Sequence, residues 1–173
     1  MWIAPARRGI DGTLTATAWS HRRMLTLNGI AELEQRVGQD LGTSDWHHVT
    51  QDRITAFADA TDDFEQIHLD EARGRQAGLG GTIAHGLYTL SLGPKFLYEI
   101  YSLDGPSLGL NYGFEKVRFL NPVKVNSRIR MTATLKAVDP IPGGHRVTIT
   151  QTFEIQGQEK PAAVADSVVA YFD

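Results

Sequence analysis

The chain has 173 residues, 42% hydrophobic and 21% charged, with a net charge of −3 and no cysteine. This is the composition of one globular domain with a real core. It excludes disulfides, thiolate nucleophiles and cysteine-based metal sites, and gives no electrostatic reason to expect nucleic acid or an anionic membrane as partner. No stretch approaches the roughly 18 consecutive apolar residues of a membrane span, and the expected location is the cytoplasm.

Residues 1–23 carry four arginines, one acid and no amphipathic period. They are expected to form a peripheral N-terminal extension, leaving 24–173 as a single domain. Asn28 can cap a helix in which Ile30, Leu33 and Val37 share one face and which Gly38 ends. The weak alternation of Ser44-Asp45-Trp46-His47-His48-Val49 suggests a short strand. Thr50 then starts a second helix, with Asp52 favoured in its first turn by the helix dipole and Ile54, Phe57 and Ala58 on its buried face. That helix runs out near Ala60. Asp70 can cap one further helical turn through Arg73, and Gly74, Gly78, Gly80 and Gly81 mark irregular backbone after it.

Between these elements lie an acid and an imidazole five residues apart, Asp63 and His68. A carboxylate and a histidine together in a loop are common partners in general acid–base chemistry. A glycine-flanked histidine, His85-Gly86, follows at the mouth of a segment running from Ile83 to Tyr101. This segment has helical period but is apolar on almost every side, with Lys95 and Glu99 its only charges. Such a helix must be surrounded by protein, and Gly93-Pro94 predicts a break near Leu90 to Gly93.

After Pro106 the period changes to two. Leu108, Leu110, Tyr112 and Phe114 share one face of a strand, which Val117 and Phe119 continue. Asn121-Pro122 is a turn. Ile129 to Ala137 alternate as a half-exposed antiparallel strand, residues 139–144 make a tight connection, Val147 to Ile155 alternate again, and Ala162 to Phe172 form the last strand. Helices, one buried helix and then a meander of strands predict an α+β domain in which a sheet with one wet face wraps the helix.

The stretch Asp62-Asp63-Phe64-Glu65-Gln66-Ile67-His68, followed by Gly81-Thr82-Ile83-Ala84-His85-Gly86-Leu87-Tyr88, resembles the hydratase motif of the MaoC-like dehydratases and (R)-specific enoyl-CoA hydratases. Ser44 to His47 and Leu110 to Val123 look like the nodulation-protein-N-like branch of that family. The resemblance implies a hot-dog fold, an antiparallel sheet wrapped around a long helix, paired as a homodimer. It implies that Asp63 and His68 activate water for addition to a trans-2-enoyl thioester, or carry out the reverse dehydration, and that the N–H of Gly86 polarises the thioester carbonyl. The substrate would be an acyl-CoA or acyl-carrier-protein thioester, with no metal and no cofactor beyond the coenzyme A of the substrate. Some hydratases carry a serine further along the helix; Pro94 occupies that place here, so that substrate contact is absent or comes from Ser91 or elsewhere.

Asn111 either faces the substrate or makes a structural hydrogen bond, and Arg118 either meets a coenzyme A phosphate or pairs with an acid. His85 is read as a supporting or structural group. His47 and His48 have no carboxylate at ligand spacing, so no metal site is expected. Asp62 and Glu65 depart from the family pattern, Asp62 by replacing a glycine. They keep open the reading of an inactive or weakly active acyl-thioester-binding subunit; a hot-dog thioesterase is a separate alternative, which the motif disfavours.

Overall fold

The structure, a computed structural model, describes residues 24–173. The proposed N-terminal extension, residues 1–23, lies outside the described residues. The chain enters through strand β1 (Leu25–Asn28) and helix α1 (Ile30–Glu34). Asn28 is not the cap of α1, which starts after Gly29. The Glu32 carboxylate instead reaches back to accept from the backbone N–H of Asn28 at 2.6 Å and from its side-chain amide at 3.2 Å, so the acid in the first turn satisfies the entering chain. Strands β2 (Asp40–Thr43) and β3 (His47–His48) follow.

Helix α2 (Gln51–Thr61) begins as expected, with the Thr50 hydroxyl accepting from the Arg53 N–H at 3.4 Å. A short helix that periodicity does not reveal, α3 (Gln66–Leu69), starts where the Glu65 carboxylate accepts from the Gln66 N–H at 3.1 Å. Helix α4 (Glu71–Gln76) is capped by Asp70, whose carboxylate accepts from Ala72 and Arg73.

The long apolar segment breaks where Gly93-Pro94 predicts. It forms α5 (Gly86–Ser91) and α6 (Gly93–Ile100), with Leu92 between them. Pro94 sits in the first turn of α6, where its missing N–H has no helical partner to lose. Gly93 lies so near the sheet that a Cβ there would be 2.7 Å from Oε1 of Gln151. Tyr101 leaves the helix to begin β4 (Tyr101–Asp104), which pairs in parallel with β1. That pairing joins two short segments far apart in the chain, and neither carries a strand signal of its own.

The remaining strands are β5 (Leu108–Phe119), β6 (Arg128–Ile141), β7 (Gly144–Ile155) and β8 (Ala163–Phe172). The main sheet is antiparallel in the order β2-β6-β7-β8-β5, with β3 also paired to β6. Helix α6 lies against β2 and β6, and α5 lies against β8. Phe96, Ile129, Met131, Leu135, Ile149 and Phe153 are all fully buried between helix and sheet, each contributing about 1.5–3 kcal/mol of apolar transfer free energy. Among the described residues, strand β5 is a free edge of this sheet, and Leu108, Leu110, Tyr112 and Phe114 are exposed along it.

Candidate active site

Three short connections bring the chemistry together. Thr82 and Ala84 tie the segment entering α5 to the turn before β6: the N–H of Ala84 donates to the Val123 carbonyl at 2.7 Å, and the N–H of Val125 donates to the Thr82 carbonyl at 3.0 Å. The Ile83 N–H donates to the Ile67 carbonyl at 3.2 Å, which pins α3 against the same segment. From α2, the Gln51 amide donates to the His68 carbonyl at 2.9 Å, and the Thr82 hydroxyl donates to the Gln51 Oε1 at 2.6 Å. His68 therefore sits on a short helix held from two sides, and not on a free loop.

The hydrogen bonds assign the tautomer of His68. Nδ1 lies 2.8 Å from the Ile83 carbonyl. A carbonyl can only accept, so Nδ1 carries the proton and Nε2 keeps a lone pair. Burial lowers the pKa of His68, the Ile83 carbonyl partly opposes this, and the neighbouring His85 lowers it further.

Asp63 is half-exposed; its carboxylate accepts from the Glu65 N–H at 3.4 Å, and Oδ2 stands 4.0 Å from Nε2 of His85. The backbone carbonyl of Asp63 lies 3.0 Å from the same His85 nitrogen. The rings of His68 and His85 stack with centroids 3.7 Å apart and planes 29° from parallel. Asp62 is the C-cap of α2 and adopts the left-handed conformation, φ 56° and ψ 24°. Aspartate at this position thus adopts a left-handed turn that glycine would take without strain.

Gly86 opens α5, where backbone N–H groups have no helical acceptor. Its Cα lies under the ring of Phe119: a Cβ here would meet three ring atoms at 3.0–3.1 Å. His68, Gly86, Thr89, Phe119, Asn121 and Val123 are among the residues lining one hollow of about 320 Å³. Two other candidates lie apart from it. Ser91 is exposed, and its hydroxyl donates to the Tyr88 carbonyl at 2.8 Å. Asn111 is exposed on β5, opposite Val169 of β8. Arg118 points away from Phe119 because adjacent strand residues face opposite sides, and it lines a different hollow with Lys116 and Asp166. Thr89 and Asn121 line the hollow without having been singled out by sequence. Thr89 could have been found from its place one helical turn beyond Gly86; Asn121 reads as an ordinary turn residue.

Asp63, His68 and His85 each bring one donor atom within 4.8 Å of the others, one side chain more than the sequence spacing suggests. Imidazole lone pairs lie in the ring plane, so an ion shared by two stacked rings would require them to splay apart. The arrangement as it stands suits proton transfer better than coordination.

A family model described as "MaoC like domain" matches residues 32–155. The chain belongs to the MaoC-like family. It is 42% identical over 149 residues to 3-hydroxyacyl-thioester dehydratase Z of Mycobacterium tuberculosis, covering 86% of this chain and 99% of that protein. It is 38% identical over 148 residues to nodulation protein N of Rhizobium leguminosarum bv. viciae, covering 83% and 92% respectively. The unliganded R-hydratase of Pseudomonas aeruginosa superimposes with a TM-score of 0.65 at 22% identity, over 83% of this chain and 84% of that one. The sheet wrapped around α5 and α6 is the hot-dog fold of this MaoC-like chain. Among the described residues, no helix is long and apolar enough to cross a membrane.

Proposed function

We propose that this MaoC-like chain is a hydro-lyase that interconverts a trans-2-enoyl thioester and the (3R)-3-hydroxyacyl thioester. The observation that carries this reading is the convergence on one hollow of a histidine with a free Nε2 lone pair and a helix-initial glycine N–H, with a carboxylate next to that histidine. In the hydration direction, Nε2 of His68 takes a proton from a water held with Asp63, and the oxygen bonds to C3. Negative charge moves onto the thioester oxygen, where the Gly86 N–H and the positive end of α5 stabilise it. The proton held by the Asp63–His68 pair then passes to C2, restoring the pair and the carbonyl. One water is consumed and no redox equivalent is used. The reaction calls for no cofactor beyond the coenzyme A or carrier-protein portion of the substrate. The nearness of the relative named a 3-hydroxyacyl-thioester dehydratase supports this substrate class.

The active unit is a homodimer paired along β5. This strand is twelve residues long, unpaired on one side among the described residues and lined with exposed Leu108, Leu110, Tyr112 and Phe114. Long apolar edges of this kind invite a partner strand. Phe119, at the end of β5, is also a wall of the hollow, so pairing there brings the partner next to the substrate.

The test is loss of enoyl absorbance with crotonyl-CoA and longer enoyl-CoAs for wild type, Asp63→Asn and His68→Gln. Activity in the wild type and a fall of roughly 10²-fold or more in each variant is expected. Activity that survives both substitutions would sink the assignment, and thioester hydrolysis in place of hydration would turn it into a thioesterase.

A further inference from the structure

We propose that His85 is a positioning residue for the Asp63–His68 pair. The inference rests on the hydratase reading and deepens it. His85 is 2% exposed, packed between the Phe57 ring at 5.0 Å and the His68 ring at 3.7 Å. A buried position between two rings would be filled more cheaply by phenylalanine, because burying a polar ring without full pairing is unfavourable. The residue also precedes α5 directly, but its side chain makes no capping hydrogen bond. Neither packing nor capping accounts for an imidazole here.

The hydrogen bond does. Nε2 lies 3.0 Å from the backbone carbonyl of Asp63, an acceptor only, so His85 holds its proton on Nε2. Nδ1 then carries a lone pair, and it is buried with no partner among the described residues. A buried nitrogen left unpaired is an unfavourable arrangement that calls for an explanation. The explanation here is that one ring does two things: its N–H fixes the main chain that carries Asp63, and its face fixes the plane of His68. The groups acting on His68 are Asp63 and Glu65 from the loop, which favour its charged form, and His85, which disfavours it; Phe57 of α2 adds no charge. His85 therefore also helps set the pH at which His68 takes up a proton.

Two variants separate the two roles. His85→Phe keeps a flat ring against His68 and loses the donor; His85→Gln keeps an N–H donor and loses the stacked face. His85→Phe is expected to lower kcat roughly 10- to 100-fold with KM within about twofold, because the loss is of orientation and not of substrate binding. His85→Gln is expected to recover part of kcat. Both should move the acid limb of the kcat/KM profile to higher pH. Wild-type kcat and an unchanged profile in His85→Phe would overturn the proposal, as would equal losses in both variants with an unshifted profile, the mark of a merely structural role.

An activity-independent measurement distinguishes failure of this inference from failure of the hydratase reading. Long-range 15N–1H spectra of the wild type should show His85 protonated on Nε2 and His68 on Nδ1. The opposite tautomer at His85 overturns the positioning role whatever the enzyme does. The expected tautomers in a chain without hydratase activity would leave His85 holding Asp63, and would remove the reaction instead.

Discussion

The ring of His68 rests on the ring of His85 at 3.7 Å, while its Nδ1–H is committed to the Ile83 carbonyl at 2.8 Å. Burial and the adjacent imidazole lower its pKa below the usual 6.5. A depressed histidine stays neutral through the neutral range, and only the neutral ring can accept a proton from water. Hydratase activity is therefore expected to be flat near pH 7 and to fall on acidification with an apparent pKa below 6.5. The kcat/KM profile measures this in the free enzyme. An acid limb centred above 6.5 would contradict the environment described for His68.

The N–H of Gly86, the proposed carbonyl-polarising donor, can be removed without breaking the helix. Proline is well tolerated at the first helical position, and His85, at φ −57° and ψ 141°, already has the backbone that a following proline requires. Both substitutions add a Cβ that presses on the Phe119 ring at about 3.0 Å, but Gly86→Pro also deletes the N–H, which Gly86→Ala keeps. A loss of roughly 10²–10³-fold in kcat is expected for proline. Alanine should show a smaller change, mostly in KM. Equal kinetics for the two variants would mean that bulk, and not the donor, is what matters at this position.

Buried His47 should make the fold acid-sensitive independently of activity. Its Nε2 shares a 2.8 Å hydrogen bond with the Tyr88 hydroxyl, and burial, with lesser contributions from Arg53, Lys95 and His48, lowers its pKa to about 4. Between pH 6.5 and 4 the unfolded chain binds this proton and the native state does not, so stability falls as pH falls. The loss from pH 6.5 to 5 is on the order of 2 kcal/mol from this residue. Urea denaturation at several pH values should show that slope in wild type and a shallower one in His47→Gln. Parallel curves would remove His47 as the cause.

The helices, the break at Gly93-Pro94 and the four long strands were legible because each has its own period and its own punctuation. The parts that were not legible depend on distant partners. Helix α3 is only four residues long, and what holds His68 there is the Gln51–Thr82 bridge and the Ile83 backbone. Strand β1 exists because β4 lies beside it. The alternation in β5 resembles a half-buried strand, but the strand ends up at an edge, so its apolar face is exposed. At the site, His68 and Gly86 were readable as a motif and do meet at one hollow. Ser91 and Asn111 were inferred from position in a motif or strand, and spacing does not determine which way a side chain turns. Ser91 turns back on its own helix, a habit of serine that competes with any outward contact. His85 was readable as a supporting or structural group, but not what it supports, because stacking on His68 is a tertiary contact.

Asp62 bears on whether the departure from the family motif matters. An aspartate held at φ 56° keeps the turn but strains it, and glycine would adopt the same conformation freely. Asp62→Gly should therefore raise stability by up to about 1 kcal/mol, partly offset by the greater freedom of glycine in the unfolded chain. Catalysis should stay within about twofold of wild type. A clear loss of activity would show that the Asp62 carboxylate itself takes part, and would reopen the question of what the acid cluster does.

The free edge of β5 predicts the assembly. Replacing Leu110 and Tyr112, 43% and 63% exposed, with lysine leaves the buried core untouched, so the monomer fold should survive while strand pairing between copies is blocked. Sedimentation velocity is expected to show a dimer for wild type and a monomer for the double variant. Because Phe119 belongs both to β5 and to the wall of the hollow, the monomer should also bind enoyl thioester more weakly, with KM raised more than kcat is lowered. A wild type that sediments as a monomer, with full activity, would separate the site from the edge and place the whole reaction within one chain.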